Sequence, residues 1–348
     1  MIEEIVREAL KKVPYPGFSR DIVSFGIVRT IEIDGSRVKI RLALTTADES
    51  VPEKLRTACV EALKGIPGVT EVIVDVASAK PSERKTSSAK EPLMPGVKAI
   101  VAVASGKGGV GKSTVAVNLA CAIDSIIGPG GGVVGILDCD IYGPSVPLML
   151  GATERPQVLN EKILPEEARG LKIMSMGLLL DDDSPVVWRG PMVTSAITQF
   201  MRDVEWGDLD VLVVDLPPGT GDAQLALVQN IPVTGAVIVT TPQTAAVNVA
   251  RRGAKMFAKV NVPILGVIEN MSYFPMPGGE KNFIFGEGGG ENVAEALGSR
   301  IIAKIPIDPE IRKGCDAGLP SFISEPESKS SLQFRKAAVA ILDTISRQ

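Results

Sequence analysis

Histidine is missing altogether: the 348-residue chain has none. That removes the side chain that titrates nearest neutrality and the commonest zinc ligand, so imidazole-based triads and His-type zinc centres are excluded. Lysines, carboxylates, main-chain amides and a bound metal ion must carry any chemistry. Cysteine is scarce. Cys59, Cys121, Cys139 and Cys315 lie far apart and form no CxxC pair. This excludes a disulfide framework and suits a reducing interior. Long apolar runs are also missing, so no segment reads as a membrane span. The N-terminal MIEEIVREALKK has no apolar run or cleavage site and does not read as a signal peptide. A cytoplasmic protein is expected. Net charge is small, −4 with a pI of about 5.3, which favours neither nucleic acid nor an anionic membrane as partner.

Aliphatic residues are what the chain has in quantity. With 45% hydrophobic residues over this length, a large core and two or three domains of about 100–200 residues are expected. Ile2, Ile5, Val6, Ala9, Leu10 and Val13 share one helical face over residues 2–13. Ile27 to Ile33 and Val38 to Leu44 predict strands joined at Asp34-Gly35, a hairpin signal. Ser50 and Pro52 open a second helix to about Lys64, and Thr70 to Val76 predicts a third strand. Residues 1–77 therefore read as a small α+β domain. Residues 78–96 lack apolar periodicity and read as a flexible linker.

Residues 97–348 follow a different pattern. The runs AIVAVA (99–104), VVGIL (133–137), VLVVD (211–215), AVIVTT (236–241) and ILGVIE (264–269) are apolar without alternation. Strands buried on both faces read this way, which predicts an α/β domain with a mostly parallel sheet and helices on both faces.

Gly106-Lys107-Gly108-Gly109-Val110-Gly111-Lys112-Ser113 matches GxxxxGK[ST], and Thr114 follows. It sits between an apolar strand and the amphipathic stretch 113–127. Glycines let backbone N–H groups converge on phosphate oxygens beside a helix N-terminus. Lys112 then supplies a charge to the β- and γ-phosphates, and the Ser113 hydroxyl ligates Mg²⁺. Asp215 ends the strand VLVVD, where a carboxylate faces the ligand crevice and can hold Mg²⁺ through water. Asp138 and Asp140 follow another strand, and Asn270 follows a third.

The form KGGxGKS resembles the deviant Walker A class that includes MinD, ParA and the nitrogenase iron protein. The resemblance implies that Lys107 reaches across a homodimer to the partner's nucleotide, and that Asp140 orients the attacking water or its metal. It also implies that Asn270, with Pro306 and Asp308 of KIPIDP, lines the adenine site. Longer segments narrow the likeness: LDCDIYGPSVP (137–147), WRGPMVTSAITQF (188–200), DLPPGTGDAQLAL (215–227), VTTPQTAAV (239–247), ENMSYF (269–274) and IFGEGGGE (284–291). Together they resemble the Mrp/ApbC-type ATPases that carry iron–sulfur clusters. GFSRDIVSFGIV (17–28) resembles the small domain of SUF- and MIP-type assembly factors. The implied function is an ATP-hydrolysing carrier or assembly factor for iron–sulfur clusters, with apo-proteins or scaffold proteins as partners. The alternatives are a MinD/ParA-like ATPase switch and a nucleotide-binding scaffold that holds no cluster.

The chain departs from that family in one respect. Where many members carry CPxC after NMSYF, this chain has Phe274-Pro275-Met276-Pro277-Gly278-Gly279-Glu280, and Thr45 to Ser50 contain no cysteine either. Cluster ligation needs thiolates. Of the four thiols present, Cys315, expected in a surface loop after IRKG, is the first candidate.

Overall fold

The computed structural model describes residues 2–13, 22–23, 27–44, 51–78, 94, 96–128, 133–140, 143–159, 162–179, 190–219, 222–243, 253, 257 and 260–347. The chain divides into two units, Met1–Ala89 and Lys90–Gln348. Most of the expected linker and the stretch Thr45 to Ser50 lie outside the described residues.

In the smaller unit, α1 (Ile2–Leu10) is followed by β1 (Val28–Asp34), β2 (Arg37–Leu44), α2 (Val51–Lys64) and β3 (Glu71–Ser78). β1 and β2 form the hairpin expected at Asp34-Gly35, and β3 pairs parallel with β2. Gly35 has φ 59°, the left-handed conformation that such a tight turn needs. α1 stops at Leu10 rather than Val13, because Pro14 disfavours helical backbone in the residue before it. Val6, Leu10, Val38, Ile40, Leu42, Leu55, Cys59 and Leu63 are buried together.

The larger unit begins with β4 (Val97–Ser105), α3 (Lys112–Ile127), β5 (Val134–Asp138) and α4 (Val146–Leu150). Four short strands follow, β6 (Val158–Leu159), β7 (Lys162–Ile163), β8 (Glu166–Ala168) and β9 (Leu171–Ser175), then α5 (Gly190–Asp203). Next come β10 (Leu209–Asp215), α6 (Asp222–Asn230), β11 (Gly235–Thr240) and β12 (Ile264–Glu269). A small ladder of β13 (Phe274–Pro275) and β14 (Lys281–Asn282) leads to α7 (Gly289–Ala296) and β15 (Ile301–Lys304). The chain closes with α8 (Pro309–Asp316), α9 (Ser321–Ser324) and α10 (Lys329–Ile345).

The main sheet has the order β15-β12-β11-β4-β10-β5-β9-β8. Every pairing is parallel except β8 with β9. β4 shows why its apolar run is unbroken. Val101 and Val103 join the core beneath α3 and α10, while Ile100, Ala102 and Ala104 join the core on the opposite face. With β4 central, its C-terminal end lies between those of β10 and β11, the position where open α/β sheets bind ligands. No helix among the described residues is long and apolar enough to cross a membrane.

Candidate nucleotide site

The site is assembled at the end of β4. Gly109 and Gly111 both have φ 78°, a conformation that L side chains rarely adopt. Space also forbids a side chain at Gly111: a Cβ there would stand 2.4 Å from Asn270 Nδ2. Gly111 caps the 16-residue α3 without a side-chain hydrogen bond. The first-turn N–H groups therefore remain for an anion.

Beneath the loop lies a buried ion pair. Lys112 Nζ donates to Asp215 Oδ1 at 2.5 Å and to Ser113 Oγ at 3.3 Å, and Lys112 and Asp215 are 6% and 0% exposed. Asp215 Oδ2 has no hydrogen-bond partner among the described residues. Burial raises the Asp215 pKa, and the Lys112 ammonium, then the Ser113 hydroxyl, oppose the rise. β10 and β5 are in register at Asp215 and Asp138, so a second carboxylate sits beside the first. Asp138 accepts backbone N–H bonds from Asp140, Ser145 and Val146 and one from the Ser175 hydroxyl. Burial first, and the Asp215 charge second, push Asp138 up to about 7. Its work is to fold the loop that carries Asp140, a role the sequence reading did not give it.

A cleft of about 220 Å³ opens above this floor, with Lys107, Lys112, Ser113, Thr114 and Asp140 in its walls. Lys107 Nζ donates to the Gln243 amide oxygen at 2.8 Å. Nothing in the sequence around Gln243, within VTTPQTAAV, marks it as the partner of a lysine in the phosphate loop. Asn270 is buried; its Nδ2 donates to Val110 O at 2.9 Å and its own N–H to Thr240 O at 2.8 Å. Its amide thus ties the end of β12 to the glycine loop. Pro306 is buried just after β15. Asp308 caps α8, accepting from Glu310 N at 3.0 Å, and also accepts from the Ser330 hydroxyl at 2.6 Å. Both its oxygens therefore serve the packing of α8 and α10.

Cys315 departs from its expected surface loop. It lies on α8, 6% exposed and in the core with α3. Burial raises its pKa, with hydrogen bonds to Thr114 and Asn118 opposing. The other thiols are buried too, and burial pushes Cys59 and Cys121 up to about 12. Among the described residues no three His, Cys, Asp or Glu side chains converge on a metal position. Asn118, which the sequence did not single out, is fully buried on α3. Its Oδ1 accepts from Ser321 Oγ and Phe322 N, and its Nδ2 donates to Thr114 O.

A glycine loop between the central parallel strand and a long helix, floored by a Lys–Asp pair, gives this unit the architecture of the P-loop NTPases. Residues 96–342 match the family model described as NUBPL iron-transfer P-loop NTPase, and the chain belongs to that family. Residues 3–74 match a second model, described as iron-sulfur cluster assembly protein. The chain is 43% identical to an iron-sulfur cluster carrier protein of Synechocystis over 350 residues, covering 99% of this chain and 96% of the relative. Among solved structures it resembles a nucleotide-binding protein of Archaeoglobus fulgidus in complex with ADP. The TM-score is 0.59 at 37% identity, over 69% of this chain and 93% of that one. The cell division ATPase MinD of Pyrococcus furiosus shares the fold, with a TM-score of 0.54 at 22% identity over 71% of this chain and 99% of that one.

Proposed function

We propose that this chain hydrolyses ATP and assists the assembly or transfer of iron–sulfur clusters, working as a nucleotide-switched homodimer. The observation that carries the reading is the Asp215 carboxylate: buried, held by the loop lysine through one oxygen, and without a hydrogen-bond partner at the other among the described residues. A buried oxygen left without a partner is costly, and a ligand that claims it recovers that cost. Asp215 Oδ2 and the Ser113 hydroxyl are the hard oxygen donors that Mg²⁺ prefers, so these two residues would hold the ion. When bound, Mg²⁺ would neutralise charge on the phosphate oxygens.

The chain's own residues supply the rest. Main-chain amides of Gly106 to Thr114 cradle the phosphates, and Lys112 turns its ammonium to the β- and γ-oxygens. Asp140 accepts a hydrogen bond from the attacking water and aligns it. The new bond to phosphorus forms as the bond to the bridging oxygen breaks, leaving ADP and inorganic phosphate. Lys107 approaches the partner subunit's γ-phosphate, and Asn270 and Pro306 border the adenine. Loss of the γ-phosphate releases the segments around Asp140 and Asp215 and so switches the dimer.

Cluster handling is supported by kinship with an iron-transfer NTPase family, a cluster-assembly domain and a cluster carrier protein. The thiols shape the form this takes. All four cysteines are buried, and a buried neutral thiol is a poor ligand. The cluster is therefore cargo whose thiolates come from the partners, and Cys315 serves the core. Two measurements test the reading. ATP turnover should vanish in Lys112→Ala; unchanged turnover sinks the enzyme. Cluster delivery from a loaded scaffold to an apo-protein should quicken with this protein and ATP; delivery at the same rate without either removes the assembly role.

A further inference from the structure

The phosphate loop contains two lysines, and the protein holds them differently. Lys112 is buried against a carboxylate. Lys107 is half-buried, and its ammonium donates to the neutral amide oxygen of Gln243 at 2.8 Å. The Thr241 hydroxyl lies 3.5 Å from the same oxygen. Lys107 follows the end of β4 and Gln243 the end of β11, and these strands are neighbours in the sheet. The contact therefore ties the phosphate loop to the segment after the adjacent strand, within one protomer.

The chemistry of the acceptor matters. A carboxylate would cancel the ammonium's charge and clamp it. An amide accepts the hydrogen bond and leaves the full positive charge, so a phosphate oxygen can displace it. We infer that Gln243 is a holding residue for Lys107: it keeps the ammonium on its own protomer, and closure of the ATP-bound dimer exchanges that bond for a phosphate oxygen of the partner's nucleotide. Gln243 acts through Lys107 and touches no reacting atom. It sets a threshold that a second copy of the chain must overcome. The inference rests on the reading of Lys107 as a residue that acts across the dimer.

The test is the dimer dissociation constant of the full chain, measured by analytical ultracentrifugation with Mg²⁺ and a non-hydrolysable ATP analogue. Gln243→Met keeps the length and removes the acceptor in both protomers, so the dimer should tighten by about a hundredfold, tenfold for each of its two lost hydrogen bonds to a charged group. Gln243→Glu makes an ion pair that must be broken, so the dimer should loosen by a similar factor. In a Lys107→Ala background both substitutions should become silent. Opposite signs that depend on Lys107 are not what a merely structural glutamine gives, since loss of packing weakens the dimer in both variants. Weakening by both, or equal effects with and without Lys107, overturns the inference alone. A wild type that never dimerises with nucleotide overturns the dimer reading and this inference with it.

Discussion

Replacing Lys112 by Met removes a charge and keeps most of the side chain's volume. The lysine is 6% exposed, and its partner Asp215 is fully buried with Asp138 beside it in register. Removing one partner of a buried pair typically costs about 3–5 kcal/mol, a large share of the roughly 5–15 kcal/mol that holds a domain folded. Acid should relieve the defect. Without the ammonium, Asp215 loses the largest influence opposing its burial, so its folded pKa rises further above its unfolded value. A carboxyl raised in this way binds its proton more tightly folded than unfolded. Its contribution is therefore full at pH below the unfolded value and is lost as pH climbs toward the folded one. Going from pH 7.5 to 5.5 should therefore recover part of the loss relative to wild type. Urea unfolding read by tryptophan fluorescence is the assay, because both tryptophans, Trp188 and Trp206, belong to the larger unit. A penalty below about 1 kcal/mol that is equal at both pH values would refute the reasoning, since no buried pair behaves so.

Three further outcomes follow from the same geometry. Gly111→Ala combines a left-handed φ of 78° with a Cβ 2.4 Å from Asn270 Nδ2, so it should cost about 1–3 kcal/mol of stability; calorimetry should also find nucleotide binding weakened more than tenfold, and wild-type binding would contradict the loop geometry. Mixing Lys107→Ala with Lys112→Ala protomers, each inactive alone, should restore roughly a quarter of wild-type turnover on random pairing, because only the mixed dimer has one complete site; no recovery would place Lys107 in its own protomer's chemistry. Asp138, pushed up to about 7 in the fold, should make the nucleotide-free protein lose stability as pH rises from its ordinary value of 3.8 toward 7; urea midpoints should fall across that window, and Asp138→Asn should flatten the trend.

Much of the larger unit could be read from the sequence because its signals are local. An apolar strand, a glycine loop and an amphipathic helix in succession have few alternative folds, and the unbroken strand runs require helices on both faces. The floor of the site was half legible. Asp215 ends its strand and could be named, but the register that sets Asp138 beside it joins strands more than seventy residues apart. Gln243 and Asn118 were missed for the same reason. Each takes its meaning from a partner distant in sequence, Lys107 in one case and Ser321 in the other, and an uncharged amide gives no sign of such a partner. Cys315 was misplaced by composition: IRKG looks like a loop, but Asp308 and Pro309 form a cap and first turn that start a helix there.

A buried ion pair is weak evidence of stability, since desolvation offsets most of the attraction. The Lys112–Asp215 pair is better understood through what each partner can exchange. Lys112 gives one carboxylate oxygen a bond that a phosphate could replace, and the second oxygen of Asp215 has no partner among the described residues, which suits a cation. Lys107 repeats the pattern at the rim, where its acceptor is an amide that cannot neutralise it. On the proposed function a triphosphate would gain both lysines by exchange, and its affinity would be the difference between the new bonds and the old ones. The two exchanges are not equal. A buried carboxylate yields its lysine only if something else compensates the carboxylate, which ties the inner lysine to metal binding. A half-buried amide needs no such compensation, so on the proposed function the outer lysine would be free to answer an anion presented by a second subunit. On the proposed function, the first exchange would make occupancy of the site depend on Mg²⁺, and the second would make pairing of the subunits depend on occupancy.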